Sequence, residues 1–405
     1  MPEQDEEQLQ RLFADLETMA DYKYNRYEMY QPGRLFLENL YLWLLGLDLD
    51  ERRAALQFVR ERLIFVSREE FQQLAHVLYH DHIRQRQLDT AAATLRVPRH
   101  CVRLVSDSEE FRRVQRASLY VAMSDGARID YFRRQNLEIN NEQVLATYQP
   151  SADKVRDLTK ELIRVQGSEA KFQCLFLLDD FCGSGRTLLR EVVRADLAKR
   201  LPDLNIPTEL SAYLKYDDER RTLEFGYSDP AMAVADEIRR ISDDPVYREA
   251  IDDIFCRAAA RKTDVKGSLK RLLDDSGLGA ALAPNASVYF CPLLTTEYAI
   301  TRLQQLVPRL ATPMDRLQVL PGAVIPNTMR ILEGGGPIAD ICERHYDAAA
   351  LQDRHTGSVK FGYDHCGLPV VLHHNTPNNS LYILWARKWK DPLFVRYERH
   401  GREGV

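Results

Sequence analysis

The segment Cys174–Arg190, CLFLLDDFCGSGRTLLR, constrains this chain more than any other stretch. Leu175–Leu178 is an unbroken apolar run, the pattern of a strand buried on both faces. Asp179 and Asp180 follow where that strand is expected to end and a loop to begin. In Gly183-Ser184-Gly185-Arg186-Thr187 the two glycines permit a tight turn that directs successive amide N–H groups into one concavity. A helix starting near Thr187 adds the positive end of its dipole, and the Ser184 and Thr187 hydroxyls can donate to phosphate oxygens. The carboxyl edge of a parallel sheet is where open α/β folds bind ligands, and paired acids there can take ribose hydroxyls or the water shell of a metal. A ribose-phosphate site accounts for these residues. A plain strand-to-helix turn would leave two acids, two glycines and two hydroxyls without a use.

Two other phosphate loops are excluded. No Lys-Ser or Lys-Thr follows the glycines, so this is not a Walker loop. Position 188 is Leu where GxGxxG needs its third glycine, which removes the dinucleotide fingerprint.

Around this segment the texture of the chain is α/β. Glu6–Asn25, Leu35–Leu47 and Glu51–Leu63 carry apolar residues at three- and four-residue steps, and Ser67-Arg-Glu-Glu70 is a capping box expected to start a helix running to about Ile83. The first 105 residues thus read as mostly helical. Ser118–Met123, Cys174–Leu178, Leu210–Tyr216 and Ser287–Leu294 read as strands, the last running into a helix over Thr295–Leu306. Strands alternating with helices predict a parallel sheet with flanking helices. The expected division is a helical N-terminal region (1–110), an α/β core (111–216 and 285–320), an inserted helical subdomain (217–284) and a C-terminal hood or hairpin region (321–405). In the last, Pro369–His373 and Leu381–Leu384 read as strands around an Asn375–Ser380 turn, after a sharp turn at Gly334-Gly-Gly-Pro337.

Composition removes several classes. With 405 residues and 45% hydrophobic against 28% charged residues, the chain has the balance of a globular protein with room for more than one core. The net charge of −5 gives no global field for nucleic acid. Seven scattered cysteines without a CxxC pair fit reduced thiols in a cytoplasm. The acidic start MPEQDEEQLQ is unlike a signal peptide, and no apolar run is long enough to span a membrane.

The order of four apolar residues, two acids, three variable positions, Thr or Ser, Gly, any residue and Thr is the signature of type I phosphoribosyltransferases, and Leu175–Thr187 resembles it. The resemblance implies that Asp179 and Asp180 hold the ribose hydroxyls of phosphoribosyl pyrophosphate and that Gly183, Ser184, Gly185, Arg186 and Thr187 hold its 5′-phosphate. Ser124-Asp125-Gly126-Ala127-Arg128 follows an apolar strand, as the pyrophosphate loop of such enzymes does. There backbone amides would hold pyrophosphate with Mg²⁺ bridging its oxygens, and Asp125 is the candidate general base. A plain turn is the alternative for that loop.

Asn375-Thr-Pro-Asn378-Asn, followed by Leu381 and Trp385, resembles a signature of the PRTase-CE family of bacterial conflict systems, as do Leu63–Ser67 and Ser124-Asp125-Gly126. This second resemblance implies an effector in anti-phage defence of the retron type, acting on a phosphoribosyl or nucleotide ligand, with a partner protein or nucleic acid of that system. Three other roles compete: a nucleotide sensor or scaffold without turnover, a salvage phosphoribosyltransferase, and a nucleic-acid-binding partner. The last would use the helical N-terminus and the basic tail of Arg387, Lys388, Lys390, Arg396 and Arg399. Beside that tail, Trp385, Trp389 and Phe394 either stack on a base or anchor it to the core. His374, Asn375 and Asn378 form a further candidate site, with a structured turn as the alternative. His76 and His80 share a helix face, but no HExxH accompanies them, and no metal ligand is assigned.

Overall fold

Period-two alternation of large apolar side chains organises the larger unit of the fold. The computed structural model describes residues 2–147, 150–190, 192–193, 214–217, 222–225, 245–251, 254, 272–273, 276–307, 316–347, 358–386 and 392–396. The described strands are β1 (Ile64–Val66), β2 (Ser118–Ala122), β3 (Val144–Leu145), β4 (Phe172–Cys182), β5 (Leu214–Asp217), β6 (Thr222–Phe225), β7 (Leu282–Thr296), β8 (Leu317–Val319), β9 (Ala323–Ile325) and β10 (Val370–Leu372). Two compact units result, one of residues Leu74–Val324 and one of Met1–Gln73 with Ile325–Val405.

The larger unit is α/β. Its sheet has the order β3-β2-β4-β7-β8, with β9 also paired to β7. The pairs β3–β2, β2–β4, β4–β7 and β7–β8 are all parallel. Leu119 and Val121 of β2, Leu175 and Leu177 of β4, and Val288 and Phe290 of β7 share one face. They are buried with Val155, Leu158 and Leu162 of helix Ala152–Gln166 and Ala299, Leu303 and Leu306 of helix Glu297–Leu306. On the opposite face Tyr120, Phe176 and Tyr289 occupy one rung of the register. Their rings stack at 5.3 and 5.0 Å. Burial on both faces is why these strands read as continuous apolar runs.

The other unit is mainly helical. Helices Pro2–Tyr22, Phe36–Leu45, Leu49–Glu61 and Pro337–Arg344 share one buried apolar core with the two-stranded parallel pair β1–β10. Asp48 caps Leu49–Glu61 by accepting from Glu51 N at 2.9 Å while the Glu51 carboxylate accepts from Asp48 N at 3.0 Å. The buried Phe394 lies within 6.4 Å of the rings of Tyr24, Tyr27, Tyr30, Phe36 and Phe65. Trp385 is also buried, with its Nε1 donating to Ser380 O at 3.0 Å. These two tail aromatics are therefore anchors in the core of this unit. Among the described residues, no helix is long and apolar enough to cross a membrane.

Several expectations change. The Ser67–Glu70 capping box is present, with Ser67 N to Glu70 Oε2 at 2.7 Å and Glu70 N to Ser67 Oγ at 3.1 Å. The helix it starts does not stop near Ile83: Arg68–Val77 is followed by a π-helical stretch, Leu78–Ile83, and by helix Arg84–Leu95. Nothing between Glu70 and Leu95 supplies a Gly or Pro stop. Leu63–Ser67 contains a strand, because β-branched Ile64 and Val66 find a partner in β10 some 300 residues away, which no local pattern announces.

Leu381–Leu384 is not a strand: Tyr382–Trp385 is a helical turn, and β10 pairs with β1 and not with a hairpin partner. The described part of the expected strand Leu210–Tyr216 is not in the parallel sheet. Residues 210–213 lie outside the described residues, and Leu214–Asp217 pairs antiparallel with Thr222–Phe225 in a separate two-stranded sheet. Most of 217–284 lies outside the described residues.

Candidate ribose-phosphate site

Strand β4 outlasts its neighbour β2, and the site begins at that difference. Pairing with β2 ends at Ala122↔Leu178, whereas pairing with β7 continues through Asp179↔Pro292 to Cys182↔Thr295. Asp179 and Asp180 are therefore still in the strand, and not in the loop as the sequence suggested. The edge vacated by β2 is taken by the turn after it, where Met123 N donates to Leu178 O at 2.8 Å.

That geometry brings the two candidate loops together. Ser124 Oγ donates to Asp179 Oδ1 at 2.6 Å. Gly126 lies so close to the second acid that a β-carbon there would sit 3.1 Å from Asp180 Oδ2. Phe181 N donates to Asp180 Oδ1 at 2.9 Å, fixing that carboxylate on its own strand. Asp125–Ala127 is a single 3-10 turn, and Arg128 follows it in the left-handed region with φ 46°.

Burial first, and then the neighbouring Asp180 charge, push the Asp179 carboxyl up to about 8, against the Ser124 hydrogen bond that favours the ionised form. Two carboxylates this close repel, and a cation between or beside them would relieve the repulsion. Among the described residues no group of three or more His, Cys, Asp or Glu could hold a metal. Two acids without further protein ligands fit a magnesium ion that keeps water and ligand oxygens in its shell, and do not fit an all-protein cage.

The loop after β4 is held from one side. Thr295 Oγ1 donates to Cys182 O at 2.9 Å, Thr296 Oγ1 to Gly183 O at 2.6 Å and Arg302 Nη1 to Ser184 O at 3.2 Å. Gly185 has φ +72°, a conformation glycine adopts freely and other residues do not. Helical conformation then runs over residues 186–190, with Leu189 N donating to Gly185 O at 2.9 Å. Ser184 is buried and its Oγ accepts from Arg186 N at 3.3 Å, whereas Thr187 is exposed on the first helical turn. The Cys182 thiol is pushed up to about 12, chiefly by burial, so it is inert at neutral pH.

Asp179, Asp180, Ser124, Gly126 and the Gly183–Thr187 loop are thus neighbours at the carboxyl edge of one sheet. Sequence reasoning missed Thr295, Thr296, Arg302 and Glu249, which brace the loop. A signal existed for Thr296, since a Thr at the end of an apolar run before a helical period is an N-cap, and Thr296 Oγ1 does accept from Ala299 N at 3.0 Å.

In the helical unit, His374 is buried with its ring 5.4 Å from Phe71 and 4.7 Å from His373. Asn375 Oδ1 accepts from Thr376 N at 2.9 Å, and Asn378 O accepts from Tyr363 N at 2.7 Å. These contacts tie a turn together. His76 and His80 have ring centroids 4.2 Å apart, with burial lowering the His80 pKa, and no third ligand joins them among the described residues.

One prediction follows from Gly126. Gly126→Ala should weaken ligand binding by up to roughly tenfold by displacing the Asp180 carboxylate, while costing less than about 1 kcal/mol of stability. Calorimetric titration beside a thermal melt checks both, and unchanged affinity would mean Asp180 does not face the ligand.

The family model PRTase-CE matches residues 43–396. Neither the curated proteins nor the solved structures give a match.

Proposed function

The chain belongs to the PRTase-CE family, and from that premise we propose that it binds a phosphoribosyl pyrophosphate or nucleotide ligand with Mg²⁺ and acts at ribose C1′, as an effector of a bacterial anti-phage defence system. Its phosphoribosyltransferase-like domain is the α/β unit, and the observation that carries the proposal is the convergence of Ser124 and Gly126 on Asp179 and Asp180 beside the glycine loop. The defence role is supported by family membership alone.

In this account the 5′-phosphate lies against the Gly183–Thr187 loop, where backbone amides, the Ser184 hydroxyl and the Arg186 cation meet a dianion. Asp179 and Asp180 accept from the ribose hydroxyls and orient the sugar ring. Ser124–Arg128 takes the pyrophosphate or the phosphates of a nucleotide through its amides. Asp179, Asp180 and the phosphate oxygens would hold the magnesium, which when bound supplies positive charge to offset the charge that develops on the leaving group. Asp125, one residue from the contact between Gly126 and Asp180, is the proposed proton acceptor.

The test is turnover. Incubation of the full chain with phosphoribosyl pyrophosphate, nucleoside phosphates or NAD and Mg²⁺ should release pyrophosphate or free base, detected by chromatography, and Asp125→Asn should lower the rate by at least roughly tenfold. Saturable binding without product would identify a nucleotide sensor in place of an enzyme.

A further inference from the structure

A charged side chain is buried behind the glycine loop, and nothing in the ligand-binding account above uses it. Arg302, on helix Glu297–Leu306, is only 7% exposed. Its Nη1 donates to Ser184 O at 3.2 Å and its Nη2 to Glu249 Oε2 at 2.6 Å, while its guanidinium lies 5.2 Å from the centre of the Tyr298 ring. Burying a guanidinium is unfavourable unless its donors are matched, so a buried ion pair is weak evidence of a stabilising role. A planar fork that spans two acceptors does something an apolar residue cannot.

What it does follows from peptide geometry. Across a trans peptide the C=O and the following N–H point in opposite directions. Holding the carbonyls of Cys182, Gly183 and Ser184 toward Thr295, Thr296 and Arg302 therefore turns the N–H groups of Gly183, Ser184 and Gly185 away from them, and the Gly185 amide bonds the Cys182 side chain. Thr296 also caps the helix that carries Arg302, so the helix and the loop are braced as one body. Glu249 is shared: its Oε1 lies 3.9 Å from Nη1 of Arg186, the cation of the loop itself.

We propose that Arg302 is a positioning residue for the phosphate loop, fixing the Ser184 carbonyl so that the loop backbone is set in place before ligand arrives, and that Glu249 is the counter-ion that orients its guanidinium. This rests on the ribose-phosphate role of Gly183–Thr187 and names residues outside that motif on which its affinity depends. Preorganised amides bind an anion without first reordering, and this is the term that loss of Arg302 removes.

The experiment combines two readouts on the full chain. Hydrogen–deuterium exchange of the 183–187 amides should rise at least about tenfold in Arg302→Met while the β4 core around 174–178 keeps its protection. Affinity for phosphoribosyl pyrophosphate with Mg²⁺ should fall by roughly tenfold or more. Glu249→Gln should move both readouts in the same direction by less. Arg302→Lys keeps the buried cation but replaces the rigid planar fork by a single nitrogen on a flexible stem, and should fall between wild type and Arg302→Met, so it carries the test if Arg302→Met fails to fold.

Unchanged exchange at 183–187, or unchanged affinity, in a folded Arg302 variant overturns the proposal. Unchanged exchange in Glu249→Gln overturns the counter-ion role. Wild-type protein that binds no phosphoribosyl pyrophosphate, with exchange still raised in the variant, overturns the ribose-phosphate function itself and leaves Arg302 a structural brace.

Discussion

Replacing Asp179 and Asp180 together by asparagine is expected to abolish binding of phosphoribosyl pyrophosphate while making the ligand-free protein more stable. Asparagine preserves shape but removes the charges that face a cation and the acceptor pairs that receive ribose hydroxyls. The stability gain follows from linkage. Folding raises the Asp179 pKa to about 8 through burial and the Asp180 charge, above an unfolded carboxyl value of about 4. Between those values the folded state binds more protons than the unfolded state, so stability falls as pH rises from about 4 to about 8. The double variant should lose that slope. At pH 8 its melting temperature should exceed the wild type's by a few degrees, at roughly 2–4 °C per kcal/mol for a unit of this size. Calorimetric titration and melts at several pH values give both readouts. Retained binding would place the ligand elsewhere, and an unchanged pH slope would mean that Asp179 ionises normally.

Phe176→Ala should lower stability by about 3–5 kcal/mol, the largest effect expected from any single substitution in the central sheet. Phe176 is fully buried and lies between Tyr120 and Tyr289, 5.3 and 5.0 Å away. Removing the middle ring costs its transfer energy, leaves a cavity between two rings tied to neighbouring strands, and ends two aromatic contacts together. Urea unfolding followed by circular dichroism should show the lower midpoint. A loss under about 1 kcal/mol would mean the rings do not form a packed column.

The same residues explain what was legible in the sequence. Strands β2, β4 and β7 were visible because burial on both faces demands unbroken apolar runs, and the parallel sheet with flanking helices followed from their alternation with helical periods. The glycine loop was visible because anion cradles need glycine, hydroxyl and acid in a short space. The extent of β4 past Leu178 was not visible, because Asp179 and Asp180 are tolerated in a strand only where β2 has ended and Ser124 has replaced it. The pairing of Ile64–Val66 with Val370–Leu372 was equally hidden, since register between distant segments is set by packing and not by local pattern. Arg302 was missed in the sequence, because its use depends on which way Ser184 O points.

The phosphate loop and the acid pair therefore stand or fall as one site. The most direct measurement is a crystal structure of the protein with phosphoribosyl pyrophosphate and Mg²⁺. The predicted result is a 5′-phosphate within hydrogen-bond distance, about 3 Å, of amides in Gly183–Thr187, with ribose hydroxyls on Asp179 and Asp180. Density for the ligand at any other place, or an empty loop at saturating ligand, would contradict it.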